Sequence, residues 1–387
     1  MEGSLKGNKT CEAIKHYYGW DTKENKIKAF ELLEEVHKKD EYNREKDASI
    51  TLYYLALIYK FGERKNNSKS IDLLKQSSDL KNSSAMVVLS SIYRREKNMP
   101  KAIDLIKKAA QLKNSRAMDK LAMIYFRGEG GIKKDIHKAI DLFKQASELK
   151  YIKAINSLAK IYQRGEGGIK KDIHKAIDLY NKAVQMKNSK AMDKLAMIYQ
   201  RGEGGIKKDI HKAIDLYNKA VNLGNFHSMN NLGLIYQRGD GIDKDIYRAI
   251  NLFKRAILLK HYQAMNNLAF IYKNGLGGVE RNIHLAIDLY KQASELGSTF
   301  GLFNLALIYQ RGEGGIEKNI HLAIEYYNKA IELRDTSSMN NLALIYQYGE
   351  GGIEMDLQKA NDLFEKASVK KKRDNYGKKI FDFFFFL

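Results

Sequence analysis

The chain has 387 residues, of which 44% are hydrophobic and 29% are charged, a composition that excludes a largely disordered protein. Its single cysteine, Cys11, excludes an intrachain disulfide bond. The formal net charge is +21, which admits nucleic acid or an anionic membrane surface as partners. Because no stretch is apolar enough for a membrane span or a secretory leader, we expect a soluble, intracellular protein whose compartment stays open.

In chain order, three regions are predicted. Residues 1–49 are expected to form a degenerate N-terminal capping repeat, since the segment 11–20 only loosely matches the first helix of later repeats. Residues 50–368 are expected to form the repeat array. Residues 369–387 form a basic and aromatic C-terminal tail outside it.

The phrase Leu-Ala-x-Ile-Tyr returns along the array at an almost constant interval. Its tyrosines are Tyr59, Tyr93, Tyr125, Tyr162, Tyr199, Tyr236, Tyr272, Tyr309 and Tyr346, so most intervals are 36 or 37 residues. A period of this length without a strand-like segment is typical of stacked helix pairs. Such a stack offers an extended surface, which favours binding over catalysis.

Residues 117–150 serve as the type unit. A first helix is predicted over 117–126, followed by a glycine-rich turn, the N-cap residue Asp135 and a second helix over 136–149. The cap recurs at Asp172, Asp209, Asp245, Asn282, Asn319 and Asp356. Alanines are expected where adjacent helices approach closely, at Ala139, Ala176, Ala213, Ala249, Ala286, Ala323 and Ala360. Gly224 and Gly297 suit left-handed ends of second helices.

These residues resemble the Sel1-like repeat family, a relative of the tetratricopeptide repeat. The family pattern is followed in order by Ala191, Leu195, Tyr199, Gly202, Gly205, Ile206, Asp209, Lys212, Ala213, Tyr217, Lys219 and Ala220. The resemblance implies an all-α fold, a right-handed superhelical α-solenoid, and ten second-helix signatures give about ten antiparallel helix pairs. It also implies a non-enzymatic adaptor. A cysteine-rich branch linked to β-lactams carries a cysteine pair in each unit, which this chain lacks.

The concave face of the first helices is the candidate site. The positions two before, two after and five after the phrase's leucine are predicted to lie opposite the buried stripe, and the arginine position, six after it, lies beside them. They include Asn156, Arg164, Asp193, Arg201, Asn230, Arg238, Asn266, Arg311 and Asn340. Such side chains pair with peptide amides and carboxylates, which predicts a groove for partner peptides or helices. The alternative is that they are solvated surface residues.

Neither a catalytic set nor a cofactor or metal site is predicted. The glycine loop at 128–142 returns unchanged at 165–179 and 202–216, lacks a phosphate-loop lysine and follows no strand, so it is interpreted as a turn. Histidines recur at the start of second helices, at His137, His174, His211, His284 and His321. Packed helices lie about 8–10 Å apart, too far for neighbouring histidines to share one zinc ion.

Two alternative functions stay open beside the protein scaffold. Lysine pairs such as Lys133–Lys134 and Lys207–Lys208 on the loop edge would suit charge-driven nucleic-acid binding. The tail could touch an anionic membrane surface, or fold onto the last repeat. The partner, the oligomeric state and the origin of the positive charge are not fixed by the sequence.

Overall fold

The computed structural model describes residues 9–19, 25–38, 45–62 and 65–369. Within these ranges the chain is entirely helical, with short 3-10 turns and no β-strand. A first compact unit ends at Met186 and a second begins at Lys187. The described residues of each unit form ten helices in five consecutive pairs, and within a unit the helices up to Tyr348 pack on their neighbours in chain order. This arrangement confirms the all-α prediction.

The helices of the first unit are α1 Lys9–Tyr18, α2 Lys26–Lys38, α3 Glu45–Phe61, α4 Asn67–Asp79, α5 Ser83–Arg95, α6 Met99–Gln111, α7 Ser115–Arg127, α8 Ile136–Glu148, α9 Ile152–Arg164 and α10 Ile173–Gln185. Those of the second unit are α11 Ser189–Arg201, α12 Ile210–Asn222, α13 Phe226–Arg238, α14 Ile246–Leu258, α15 Tyr262–Asn274, α16 Ile283–Glu295, α17 Thr299–Arg311, α18 Ile320–Glu332, α19 Thr336–Tyr348 and α20 357–369. Odd-numbered helices are first helices of a pair. Only the first residue of the predicted tail, Val369, lies within the described ranges.

Helix capping sets the boundaries of the type unit. Helix α7 begins two residues before its predicted start because Asn114 Oδ1 accepts a hydrogen bond from Ala117 N at 3.0 Å. It ends at Gly128, which has a left-handed φ of 68°. The tyrosine of the phrase then closes the loop, since Tyr125 O accepts from Asp135 N at 2.9 Å.

The predicted second-helix caps are confirmed. Asp135 Oδ1 accepts from Lys138 N at 3.0 Å, and the equivalent bond recurs at every predicted cap. The predicted alanines of the second helices are buried, with at most 1% exposure. Gly224 and Gly297 have φ values of 76° and 85°, as predicted. Local sequence signals therefore account for where each second helix starts.

Large aromatic side chains fill the space between the two helices of a pair. Phe143 and Tyr180 in the first unit, and Tyr217, Phe253, Tyr290 and Tyr327 in the second, are at most 2% exposed. Burying each contributes on the order of 2–3 kcal/mol. These residues occupy one position of the second helix. A tyrosine there needs a hydrogen-bond acceptor from the first helix of its pair, whereas a phenylalanine does not.

Candidate functional site

The nine predicted site residues divide into a buried and an exposed group. Asp193, Asn230 and Asn266, all two residues before a phrase leucine, are only 2%, 7% and 5% exposed. The arginines and the last asparagine are exposed, whereas Asn156 is half-buried. The exposed members are Arg164, Arg201, Arg238, Arg311 and Asn340.

The three buried residues hold consecutive first helices together. Asp193 Oδ1 accepts hydrogen bonds from Ser228 Oγ at 3.0 Å and from Asn231 Nδ2 at 3.1 Å. Asn267 Nδ2 donates to Asn230 Oδ1 at 2.8 Å. These bonds connect one repeat to the next, so the side chains stabilise the packing of consecutive repeats.

The prediction that Asp193, Asn230 and Asn266 lie on an exposed face is therefore wrong, because all three are buried. The helical period predicts one buried stripe, but each first helix also packs beside the first helix of the following repeat. Asn266 Nδ2 donates to Ser298 Oγ at 2.8 Å in the same manner. The second contact widens the buried arc, and it makes paired polar side chains the appropriate filling.

The exposed arginines fall into two electrostatic classes. Arg164 and Arg311 each contact the loop glutamate two residues later, Glu166 at 3.2 Å and Glu313 at 3.5 Å. Arg201 and Arg238, in contrast, form no ion pair with any carboxylate in the described part of the chain. These two side chains therefore keep their charge available on the first-helix face.

The glutamines that precede Arg201 and Arg311 are each oriented by a buried tyrosine seventeen residues later. Tyr217 OH donates to Gln200 Oε1 at 2.8 Å, and Tyr327 OH donates to Gln310 Oε1 at 2.7 Å. Burial raises the pKa of both phenols, so each hydroxyl stays protonated and acts as a donor. The amide nitrogen of Gln310 then faces the loop of the following repeat.

In the last repeats, that amide binds a loop carboxylate. Gln310 Nε2 donates to Glu350 Oε2 at 2.7 Å, and Lys318 Nζ contacts Glu350 Oε1 at 3.0 Å. One junction earlier, Lys273 Nζ contacts Glu313 Oε2 at 3.0 Å. The loop glutamate thus joins its repeat to the preceding one. Sequence analysis missed this role, although the fixed spacing of glutamine and tyrosine was visible.

A groove of about 330 Å³ replaces this contact between α11 and α13. Its polar lining includes Gln200, Arg201, Lys208, Arg238 and Asp240. We call it the Gln200 groove. Asp240 occupies the loop position of Glu350, but it makes no side-chain hydrogen bond or ion pair within the described residues. The groove therefore carries three cationic side chains and one carboxylate.

The other sequence candidates are placed as follows. The five recurring histidines are exposed on the first turn of their helices. Across the described ranges, no three His, Cys, Asp or Glu side chains are grouped so that they could hold a metal ion. Cys11 is half-buried, and burial raises the pKa of its thiol. Among the described helices, none is long and apolar enough to cross a membrane, and residues 370–387 of the tail lie outside the described ranges.

Comparison with known families identifies the repeats. The model of the Sel1 repeat matches residues 16–35, 49–82, 89–114, 115–151, 152–188, 189–225, 227–261, 263–298, 299–335 and 336–368. The chain belongs to the Sel1 repeat family. Sel1 repeat proteins generally mediate protein–protein interaction and are typically non-catalytic.

Solved structures of Sel1-type proteins share the fold. A protective antigen of uropathogenic Escherichia coli that displays an SLR fold is 21% identical, with a TM-score of 0.63 over 93% of this chain and 75% of that one. A Sel1 repeat protein from Oxalobacter formigenes is 26% identical, with a TM-score of 0.57 over 64% of this chain and 100% of that one. No curated protein matches the chain.

Proposed function

We propose that this Sel1 repeat protein is a non-enzymatic scaffold that binds partner peptides or helices on its first-helix face. The observation that carries the proposal is the pair Arg201 and Arg238, which are exposed and have no carboxylate partner within the described residues. Guanidinium groups in this state suit bidentate pairing with acidic side chains of a partner. Arg311 stands at the same position of a later repeat in the second unit, where Asn340 is also exposed. In the first unit, Arg164 stands at the equivalent position of its repeat and Asn156 is half-buried.

Apolar side chains on the first helices support a protein partner. Phe270 and Leu344, each two residues after a phrase leucine, are 42% and 39% exposed. Leu234 at the same position lines the Gln200 groove. Apolar and aromatic groups together with arginine are typical of protein interfaces, whereas non-specific binding to a nucleic-acid backbone depends mainly on cations.

Affinity capture with matched charge changes tests the proposal. The wild-type chain, an Arg201→Glu/Arg238→Glu variant and a Lys133→Glu/Lys134→Glu control are used as baits, with and without nuclease. The control changes the net charge equally, but on the exposed loop edge. We expect a discrete set of proteins that survives nuclease, is lost with the arginine variant and is retained by the control.

Two outcomes would contradict the scaffold. Recovery that disappears with nuclease would assign the positive charge to nucleic-acid binding. Equal loss in both variants would show that net charge, and not the first-helix face, drives association. Repeating the capture at about 0.3 M salt separates these further, because contacts to phosphates weaken steeply with ionic strength.

A further inference from the structure

We propose that the Gln200 groove is a binding site for the carboxylate of a glutamate or aspartate side chain in an acidic partner peptide. This inference rests on the proposed scaffold function and assigns one chemical contact within it. The groove lies inside the second unit, between the first helices of repeats 189–225 and 227–261. The evidence for a ligand is an equivalent site in the same unit that is occupied by a carboxylate of the chain itself.

The filled copy lies between repeats 299–335 and 336–368. There Tyr327 OH fixes Gln310 Oε1 at 2.7 Å, which turns the amide nitrogen outward. Gln310 Nε2 binds one oxygen of Glu350 at 2.7 Å, and Lys318 Nζ binds the other at 3.0 Å. One amide and one ammonium thus hold the two oxygens of a single carboxylate.

The Gln200 groove reproduces the donors of that site. Tyr217 OH donates to Gln200 Oε1 at 2.8 Å, as Tyr327 OH donates to Gln310 Oε1, which leaves the amide nitrogen of Gln200 as its remaining donor. Lys208 stands at the loop position of Lys318, one residue before the helix N-cap, and it is exposed. In the described part of the chain, neither donor has a carboxylate ligand.

The chain's own carboxylate is too short to fill the groove. Asp240 stands in the place of Glu350, with one methylene fewer, and its loop has one glycine fewer than the other loops. Its side chain reaches neither Gln200 nor Lys208. An open volume of about 330 Å³ remains, which an external side chain can enter.

The electrostatics of the groove favour an acidic ligand. Arg201 and Arg238 flank it, and with Lys208 they give three positive charges against the one negative charge of Asp240. Met197 and Leu234 line it as well and supply apolar contact for the methylene groups of a glutamate. A planar carboxylate with two oxygens matches the donor pair seen on Glu350, which favours it over a tetrahedral phosphate.

Closing the groove from inside tests the proposal without a change in charge. Asp240→Glu supplies the missing methylene, so the chain's own carboxylate is expected to bind Gln200 and Lys208 and to exclude the ligand. The full-length protein is titrated into a fluorescein-labelled peptide of alternating glutamate and serine, and binding is followed by fluorescence anisotropy. We expect the Kd to rise at least about tenfold. Asp243→Glu, an exposed neighbour in the same loop, is expected to leave it unchanged.

A second pair of variants covers the case in which Asp240→Glu alters the loop. Lys208→Met removes the ammonium donor, and Lys207→Met removes its exposed neighbour. The first is expected to weaken peptide binding by several-fold more than the second. Equal effects of the two would overturn the proposal.

The remaining outcomes separate this site from the scaffold as a whole. Peptide binding that Asp240→Glu leaves unchanged, together with equal binding of an oligothymidylate of matched charge, would overturn the site in favour of general attraction to polyanions. Absence of peptide binding, while protein capture still depends on Arg201 and Arg238, would overturn the site and leave the scaffold intact. Loss of both would overturn both.

Discussion

Two neighbourhoods of the second unit differ in how their repeats are joined. On both sides of repeat 299–335 a loop glutamate binds the preceding repeat, as Glu313 does with Lys273 and Glu350 with Gln310. On both sides of repeat 227–261 the same loop position holds Asp240 and Leu276, and within the described chain neither makes that contact. Closed and open junctions thus differ in the side chain at this loop position, and at Asp240 the loop is also one residue shorter.

Within the part of the chain that the structure describes, most of the buried side-chain polar atoms without a hydrogen-bond partner lie in residues 227–298. Gln237 Oε1, the Tyr290 hydroxyl and both ring nitrogens of His261 are buried without a hydrogen-bond partner. Each such group costs on the order of 1–3 kcal/mol relative to a bonded one. In repeat 299–335 the corresponding tyrosine, Tyr327, is bonded to Gln310. We infer that residues 227–298 are the less stable part of the unit, in keeping with a region that keeps polar groups available for a ligand.

The largest effect is expected from opening a closed junction. In Glu313→Ala, Lys273 would lose its carboxylate while its side chain is only 13% exposed. Leaving a mostly buried cation unpaired should cost about 2–3 kcal/mol of unfolding free energy. The midpoint of urea unfolding followed by circular dichroism measures this. Asp240→Ala, at the equivalent open junction, is the control and should change stability by no more than about 0.5 kcal/mol.

A pH-dependent effect is expected from His261. It stands at an N-cap position that holds asparagine, serine or aspartate in most other first helices, makes no capping bond and is 6% exposed. Burial, and then the facing His227, lower its pKa to about 4. Because the folded-state pKa lies below the unfolded value of about 6.5, the stabilising contribution of neutral His261 is complete above that value and is lost as the pH falls toward 4.

Replacing His261 by asparagine should therefore restore the cap and remove this acid sensitivity. We expect a gain of about 1 kcal/mol at pH 7, and a gain of about 2 kcal/mol more by pH 5, where the wild type is weakened. Thermal unfolding at the two pH values provides the measurement. His321→Asn, an exposed histidine at a helix start, should leave the pH dependence unaltered. Equal slopes for wild type and His261→Asn would refute the assignment.

The repeat architecture was predictable because its signals are local. The phrase ending in tyrosine, the N-cap series from Asp135 to Asp356 and the left-handed Gly224 each depend on residues within one repeat. The burial of Asp193 and Asn230 was not predictable in this way, since their hydrogen-bond partners Asn231 and Asn267 lie one repeat away. A periodicity of 3.6 residues describes one helix, whereas these bonds arise from stacking.

The Gln200 groove was still harder to predict from the sequence. Its arginines, Arg201 and Arg238, were identified as candidates, but the vacancy for a carboxylate depends on the reach of Asp240 against that of Glu350. A difference of one methylene does not alter any pattern of polar and apolar residues. One signal was available: glutamine stands seventeen residues before tyrosine in several repeats, and Phe126 stands at that distance before Phe143.

That pairing gives a smaller, stabilising prediction. Gln237 faces the buried Phe253, which offers no hydroxyl, and its Oε1 is left without a partner. Phe253→Tyr should supply the donor that Tyr217 gives to Gln200, and raise the unfolding free energy by about 1 kcal/mol. The control is Phe143→Tyr, where the facing residue is Phe126 and the new hydroxyl would be buried unpaired. Chemical denaturation should show opposite signs for the two variants.

The smallest effect concerns the ends of the second helices α14 and α16. Lys260, after α14, is held at a left-handed φ of 56°, whereas Gly297, after α16, has φ of 85° at the corresponding position. A side chain at such φ values is strained and glycine is not, so Lys260→Gly should stabilise the chain by about 0.5 kcal/mol, although the gain is reduced by the greater freedom of glycine in the unfolded state. Gly297→Lys should destabilise it by at least as much. Lys260 lies directly before His261, so the two substitutions can be combined. Comparing the unfolding free energy of the Lys260→Gly/His261→Asn variant with the sum of the two single effects would show whether the helix end and the following N-cap contribute independently to stability.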